Sequence, residues 1–104
     1  MKVNNVNGTS ANTCGCGSWL DHWKKFSGQS VPSYCSEKAC IKKPEVGAHV
    51  QKDGSYDQSW YIVPLCAAHN QQTGKSLDLV ASAVLVPANV TETCAKSTRY
   101  VRAW

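Results

Sequence analysis

Acidic residues are scarce in this 104-residue chain, seven Asp and Glu against eleven Lys and Arg, which leaves a net charge of +4. No pair of carboxylates stands out, so the two-carboxylate chemistry of glycoside hydrolysis has nothing to rest on. No glycine-rich loop of the phosphate-cradling kind occurs. There is no long apolar run either. No stretch is expected to be long enough for a membrane-spanning helix, and the first residues, Met1-Lys-Val-Asn-Asn-Val, do not read as a signal peptide. Hydrophobic residues still make up 42% of the chain, enough for a globular domain and too much for general disorder.

At this length the chain holds one small domain, and a core of that size profits from a metal or from disulfides. Six cysteines answer that need. In a secreted protein they would form three disulfides. In the cytosol they would serve a metal. With no leader in view, the expectation is a cytoplasmic protein whose cysteines bind metal. Two Asn-x-Thr acceptor patterns, Asn7-Gly-Thr9 and Asn89-Val-Thr91, are short enough to arise by chance.

Local signals outline a small α+β domain. Residues 1–13 are polar and read as a loose arm. Ser18 followed by Asp21 is a capping box, and Trp19, Leu20, Trp23 and Phe26 recur at helical spacing, with Gly28 as the stop. A helix over 18–27 with that aromatic stripe facing the core is predicted. Residues 29–44 are a loop. Val46 to Gln51 and Trp60 to Val63 are predicted strands of one hairpin about the turn at 52–55, the second ended by Pro64. A short helix from Cys66 to about Gln72, stopped at Gly74, and one or two strands within 77–86 complete the outline. Residues 87–94 read as a helical turn or as loop, and the basic, aromatic tail 95–104 fits no element.

The chemistry concentrates in two clusters, Cys35-Ser-Glu-Lys-Ala-Cys40 and Cys66-Ala-Ala-His69. Two cysteines in a tight loop can curl around one ion. A Cys-x-x-His at a helix start puts both ligands on one face, one turn apart, where the helix end also favours a thiolate. Cys35, Cys40, Cys66 and His69 would close a Cys3His zinc site, structural rather than catalytic because no position stays open. The competing use is a disulfide with a bystander histidine. Cys14, Cys16, His22 and Cys94 could close a second zinc site of unusual spacing, or the cysteines could pair or simply pack.

Knuckle, hairpin and ligand-bearing helix follow one another over 34–72 in the order of a treble clef. The stretch from Tyr34 to Asn70 resembles the zinc-bearing HNH endonuclease domain. Val46-Gly-Ala-His49-Val50 is similar to the strand that carries that family's general-base histidine. Tyr61-Ile-Val-Pro-Leu-Cys66-Ala-Ala-His69-Asn70 is similar to its second zinc knuckle. Together with that knuckle, Cys14-Gly-Cys-Gly-Ser-Trp-Leu-Asp-His-Trp23 and Leu85-Val-Pro-Ala-Asn-Val-Thr-Glu-Thr-Cys94 also resemble small bacterial proteins of unknown function. The resemblance implies that His49 would activate water against a phosphodiester while a divalent cation stabilises the leaving oxygen. The chain departs from the family at three places. Ala48 stands where many members hold the cation with Asp or His, Tyr61 where an Asn orients the histidine, and Asn70 where a final His binds the cation. An alanine offers no ligand to a hard cation. The expectation is therefore a zinc-stabilised binding module without a complete catalytic centre, with nucleic acid as the first partner to consider. A metal-dependent nuclease and a disulfide-bonded secreted factor stand as the alternatives.

Overall fold

The computed structural model describes residues 1–6, 18–54, 56–57, 59–72 and 74–88. Its elements are β1 (Lys2–Asn5), α1 (Trp19–Ser27), β2 (Val46–Lys52), β3 (Tyr61–Leu65), α2 (Ala67–Asn70), β4 (Ser76–Asp78) and β5 (Val86–Pro87). The strands form one antiparallel sheet in the order β4-β1-β2-β3-β5.

The capping signals of α1 hold atom by atom. Ser18 Oγ accepts the Asp21 N–H at 3.0 Å and donates to the Asp21 carboxylate at 3.1 Å. Gly28 ends the helix at φ 71°, and its N–H reaches the Lys24 carbonyl. Ser18→Ala should lower stability by about 1 kcal/mol, the usual loss of an N-cap. Chemical denaturation would read it, and an unchanged midpoint would refute the cap.

The buried face of α1 differs from the predicted stripe. His22 and Trp23 are buried and Trp19 half-buried, whereas Phe26 is 42% exposed. Trp23 settles the rotation. Its indole N–H donates to the Val84 carbonyl at 2.8 Å while its ring packs with Ile62 and Val86. Both its polar and its apolar surfaces are thereby satisfied.

The β2–β3 hairpin forms as expected, with Ala48 opposite Val63 and His49 opposite Ile62. Pro64 does not end its strand. Its carbonyl accepts the Ser36 N–H, so the proline nitrogen faces away from β2. On that side β5 covers only Tyr61 and Ile62, so no ladder bond is lost.

The reading of residues 1–13 as a loose arm is corrected for Lys2–Asn5. These residues form β1 and pair with both β2 and β4. Alternation explains it: Val3 and Asn5 point into the core, 0% and 1% exposed, while Lys2 and Asn4 point to the other face. The two late strands do not pair with each other either. β4 and β5 lie at opposite edges of the sheet.

Strand alternation gives the sheet two working faces. Val3, Ala48, Val50, Val63, Leu65 and Leu77 pack on one of them, in the cluster that also holds Cys35 and Cys66. The other carries Gly47, His49, Ile62 and Val86 beneath α1.

Candidate metal centre

The loop from Cys35 to Lys42 is closed on itself. The Cys35 N–H donates to the Lys42 carbonyl at 2.7 Å, and the Cys40 N–H to the Glu37 carbonyl at 3.1 Å. It is also fastened to the sheet, through Ser36 N–H to the Pro64 carbonyl and Lys38 N–H to the Asp78 carbonyl. These bonds fix two thiols beside the end of β3. Directly after β3, Cys66 is the N-cap of α2, and His69 follows one turn later. Glu45 holds that helix start by accepting the Ala67 N–H at 3.0 Å.

The four predicted ligands meet. Nδ1 of His69 lies 3.5 Å from Cys35 Sγ and 3.3 Å from Cys66 Sγ, and Cys40 Sγ lies 3.9 Å from Cys66 Sγ. All four ligand atoms fall within 4.8 Å of one another, close enough to hold one metal ion. Cys35, Cys40 and Cys66 are free thiols. Cys35 and Cys66 are buried and Cys40 and His69 half-buried, so an ion here would sit at the border of the core.

The electrostatics set the two buried thiols apart. Burial pushes the Cys35 thiol up to about 11, beyond what nearby N–H groups offset. Cys66 is buried too, but the His69 N–H, the Cys40 and Cys35 thiols and the Ala68 N–H together hold it below the ordinary thiol range. Cys66 thus ionises before Cys35. The Lys42 N–H adds a donor to Cys40 Sγ at 3.4 Å. A cation among these sulfurs would stabilise the remaining thiolates directly.

Asn5 is a contributor with no signal in the sequence. Its buried side chain donates to the carbonyls of His69 (3.1 Å) and Asn70 (2.8 Å), tying β1 to the end of the ligand helix. Asn5→Ala leaves two carbonyls without that donor and should cost about 1–3 kcal/mol. It should also speed metal loss to a competing chelator. Wild-type release kinetics in the variant would show that Asn5 does not support the site.

The other predicted residues are dispersed. His22 is 0% exposed, with Nε2 2.9 Å from the Pro87 carbonyl. Its three proposed co-ligands, Cys14, Cys16 and Cys94, lie outside the described residues. His49 is 7% exposed on the α1 side of the sheet, edge-on to Trp19 at 4.6 Å and to Trp60 at 6.1 Å between ring centroids. Burial, and then the nearby His22, hold its imidazole below the usual histidine pKa. Ala48, its neighbour in β2, packs into the core on the opposite face. The Tyr61 hydroxyl donates to Asp57. Asn70 and His49 line one cleft.

No protein-family model, curated protein or solved structure matches this chain. Among the described residues, no helix is long and apolar enough to cross a membrane.

Proposed function

We propose that Cys35, Cys40, Cys66 and His69 hold one structural zinc ion in a treble-clef-like frame, and that the protein is an HNH-like binding module rather than an enzyme. The observation that carries the metal is the spacing of the ligand atoms. Zinc bonds of about 2.3 Å to sulfur and 2.0–2.1 Å to nitrogen, at tetrahedral angles, separate two sulfurs by about 3.8 Å and sulfur from nitrogen by about 3.5 Å. The 3.3, 3.5 and 3.9 Å separations lie close to those edges. Three soft sulfurs and one imidazole are zinc's preferred donors, and four protein ligands leave no open position. Such an ion fastens the 35–42 loop and α2 to the sheet. A reducing, cytoplasmic setting is where these thiols stay available to a metal.

Metal analysis of freshly purified protein tests this reading. One zinc per chain is expected, and none would overturn it. A content of two would bring Cys14, Cys16, His22 and Cys94 into use.

Nucleic acid is the proposed partner, supported by the net charge of +4 and by exposed Lys38, Lys42 and Lys43 around the knuckle. If those three lysines meet phosphates, affinity should fall about 40-fold between 50 and 200 mM salt. Fluorescence anisotropy with labelled oligonucleotides reads this directly. An affinity indifferent to salt would remove nucleic acid as the partner.

One observation favours a second reading, a nuclease with His49 as base: His49 and Asn70 share a cleft. Against it, Ala48 is in the core and brings no ligand. Mg2+- or Mn2+-dependent cutting that disappears in His49→Ala would establish it. The disulfide-bonded factor is disfavoured because three free thiols converge on one imidazole.

A further inference from the structure

A cleft of about 450 Å³ opens between the first turn of α1 and the start of β2. This lies within the size range of small-molecule sites. Its walls are largely apolar, from Trp19, Leu20, Val31 and Val46. Gly47 also lines the cleft, and its missing side chain lets the α1 backbone approach β2 closely.

The polar groups in the cleft divide into two kinds. Those with partners are Asp21, which accepts from Ser18, and Glu45, which accepts from Ala67. Lys24 is exposed at the rim. His49 and Asn70 are the other kind. The His49 ring is 7% exposed, yet neither of its nitrogens forms a hydrogen bond with a described residue. The same holds for the Asn70 carboxamide. Buried polar groups are ordinarily satisfied, and an unsatisfied one that faces a cleft points to a ligand.

The two groups also define the ligand's chemistry. Burial and the neighbouring His22 favour a neutral His49 imidazole, which offers one donor and one acceptor. A carboxamide offers the same pair. A neutral planar ligand whose edge presents both a donor and an acceptor would satisfy them. An ionised ligand would give up its hydration to neutral partners, beside two carboxylates and one ammonium group.

We propose that this cleft binds a small, flat, uncharged ligand with an amide-like edge, read by His49 and Asn70 and enclosed by Trp19. Neither group belongs to the metal ligand set, and the inference rests on the zinc reading only in that α2 carries Asn70.

Benzamide is a suitable probe, with benzoate and benzamidinium as charged controls of the same outline. Titrations of the zinc-replete protein would be followed by 15N-correlation NMR. Benzamide should give saturable shifts confined to the cleft and including the Trp19 indole, with each charged analogue at least tenfold weaker. His49→Phe keeps a ring but removes both nitrogens, and it should weaken benzamide at least tenfold. Asn70→Leu should do the same, and it decides the matter if His49→Phe loses its native spectrum. Three results would each overturn the proposal: no saturation up to the solubility of benzamide, benzoate or benzamidinium binding as tightly, or unchanged affinity in the natively folded variants.

Discussion

Stripping the metal with a strong chelator at neutral pH should unfold the protein, and adding zinc back should restore it. The ligands come from two places in the chain, the 35–40 loop and the start of α2, and the ion would join the two directly. α2 has only four residues and its N-cap makes no side-chain hydrogen bond, so it cannot persist alone. Two ligands, Cys35 and Cys66, lie inside the main core cluster. Losing the ion would leave thiolates there that must take up protons or reach water. Structural zinc contributes on the order of 10 kcal/mol at neutral pH, comparable to the whole stability of a small domain. Far-UV circular dichroism before and after chelation would report the loss. Cys66→Ser should reproduce it without chelator. A chelated protein that kept its spectrum and its cooperative thermal transition would show that the four ligands do not hold the fold.

Gly47→Ala should be the next most damaging change. A Cβ at this position would lie 2.5 Å from the Trp19 carbonyl carbon and 2.6 Å from the Leu20 nitrogen. These are backbone atoms of α1, so no side chain can rotate away. The helix must lift from the sheet or β2 must bend. Either movement disturbs Trp23 on Ile62 and Val86, and Trp19 against His49. Overpacking of this kind costs about 3 kcal/mol. In a domain of this size that lowers the melting temperature by more than about 10 °C. Differential scanning calorimetry of zinc-replete protein would measure it, with tryptophan emission reporting on α1. Gly54→Ala is the contrast. Its Cβ would meet nothing within 4 Å, and only the positive φ of 70° is unfavourable there. If both variants melted within about 2 °C of the parent, close packing of α1 on β2 would be refuted.

The features legible in the sequence are those whose partners lie a few residues apart. Ser18 finds Asp21, Gly28 finds Lys24, and Cys66 finds His69, all within one helical turn. The hairpin joining β2 to β3 was legible for the same reason, since a turn links two β-prone runs. Gly47 did leave a trace: a glycine inside a strand marks a close backbone approach. Its consequence could not be read without knowing what approaches.

Distant partners account for the rest. Asn5 is joined to His69 and Asn70 across more than sixty residues, and Val3 is paired with Lys52 on one side and Leu77 on the other. A polar opening segment with a single inward valine carries no mark of those pairings. The stripe on α1 shows the same limit. Periodicity placed Trp23 and Phe26 together, but the Val84 carbonyl and the β5 end decided which side of the helix is buried.

The sequence by itself determined the ligand types and their local spacing, because donor chemistry and helix pitch are local properties. Only the tertiary structure decided that the two ligand pairs meet, that β1 enters the sheet between β4 and β2, and that His49 and Asn70 line one cleft. Adjacent residues of a strand point to opposite faces, and which face meets which neighbour is set by packing over the whole chain.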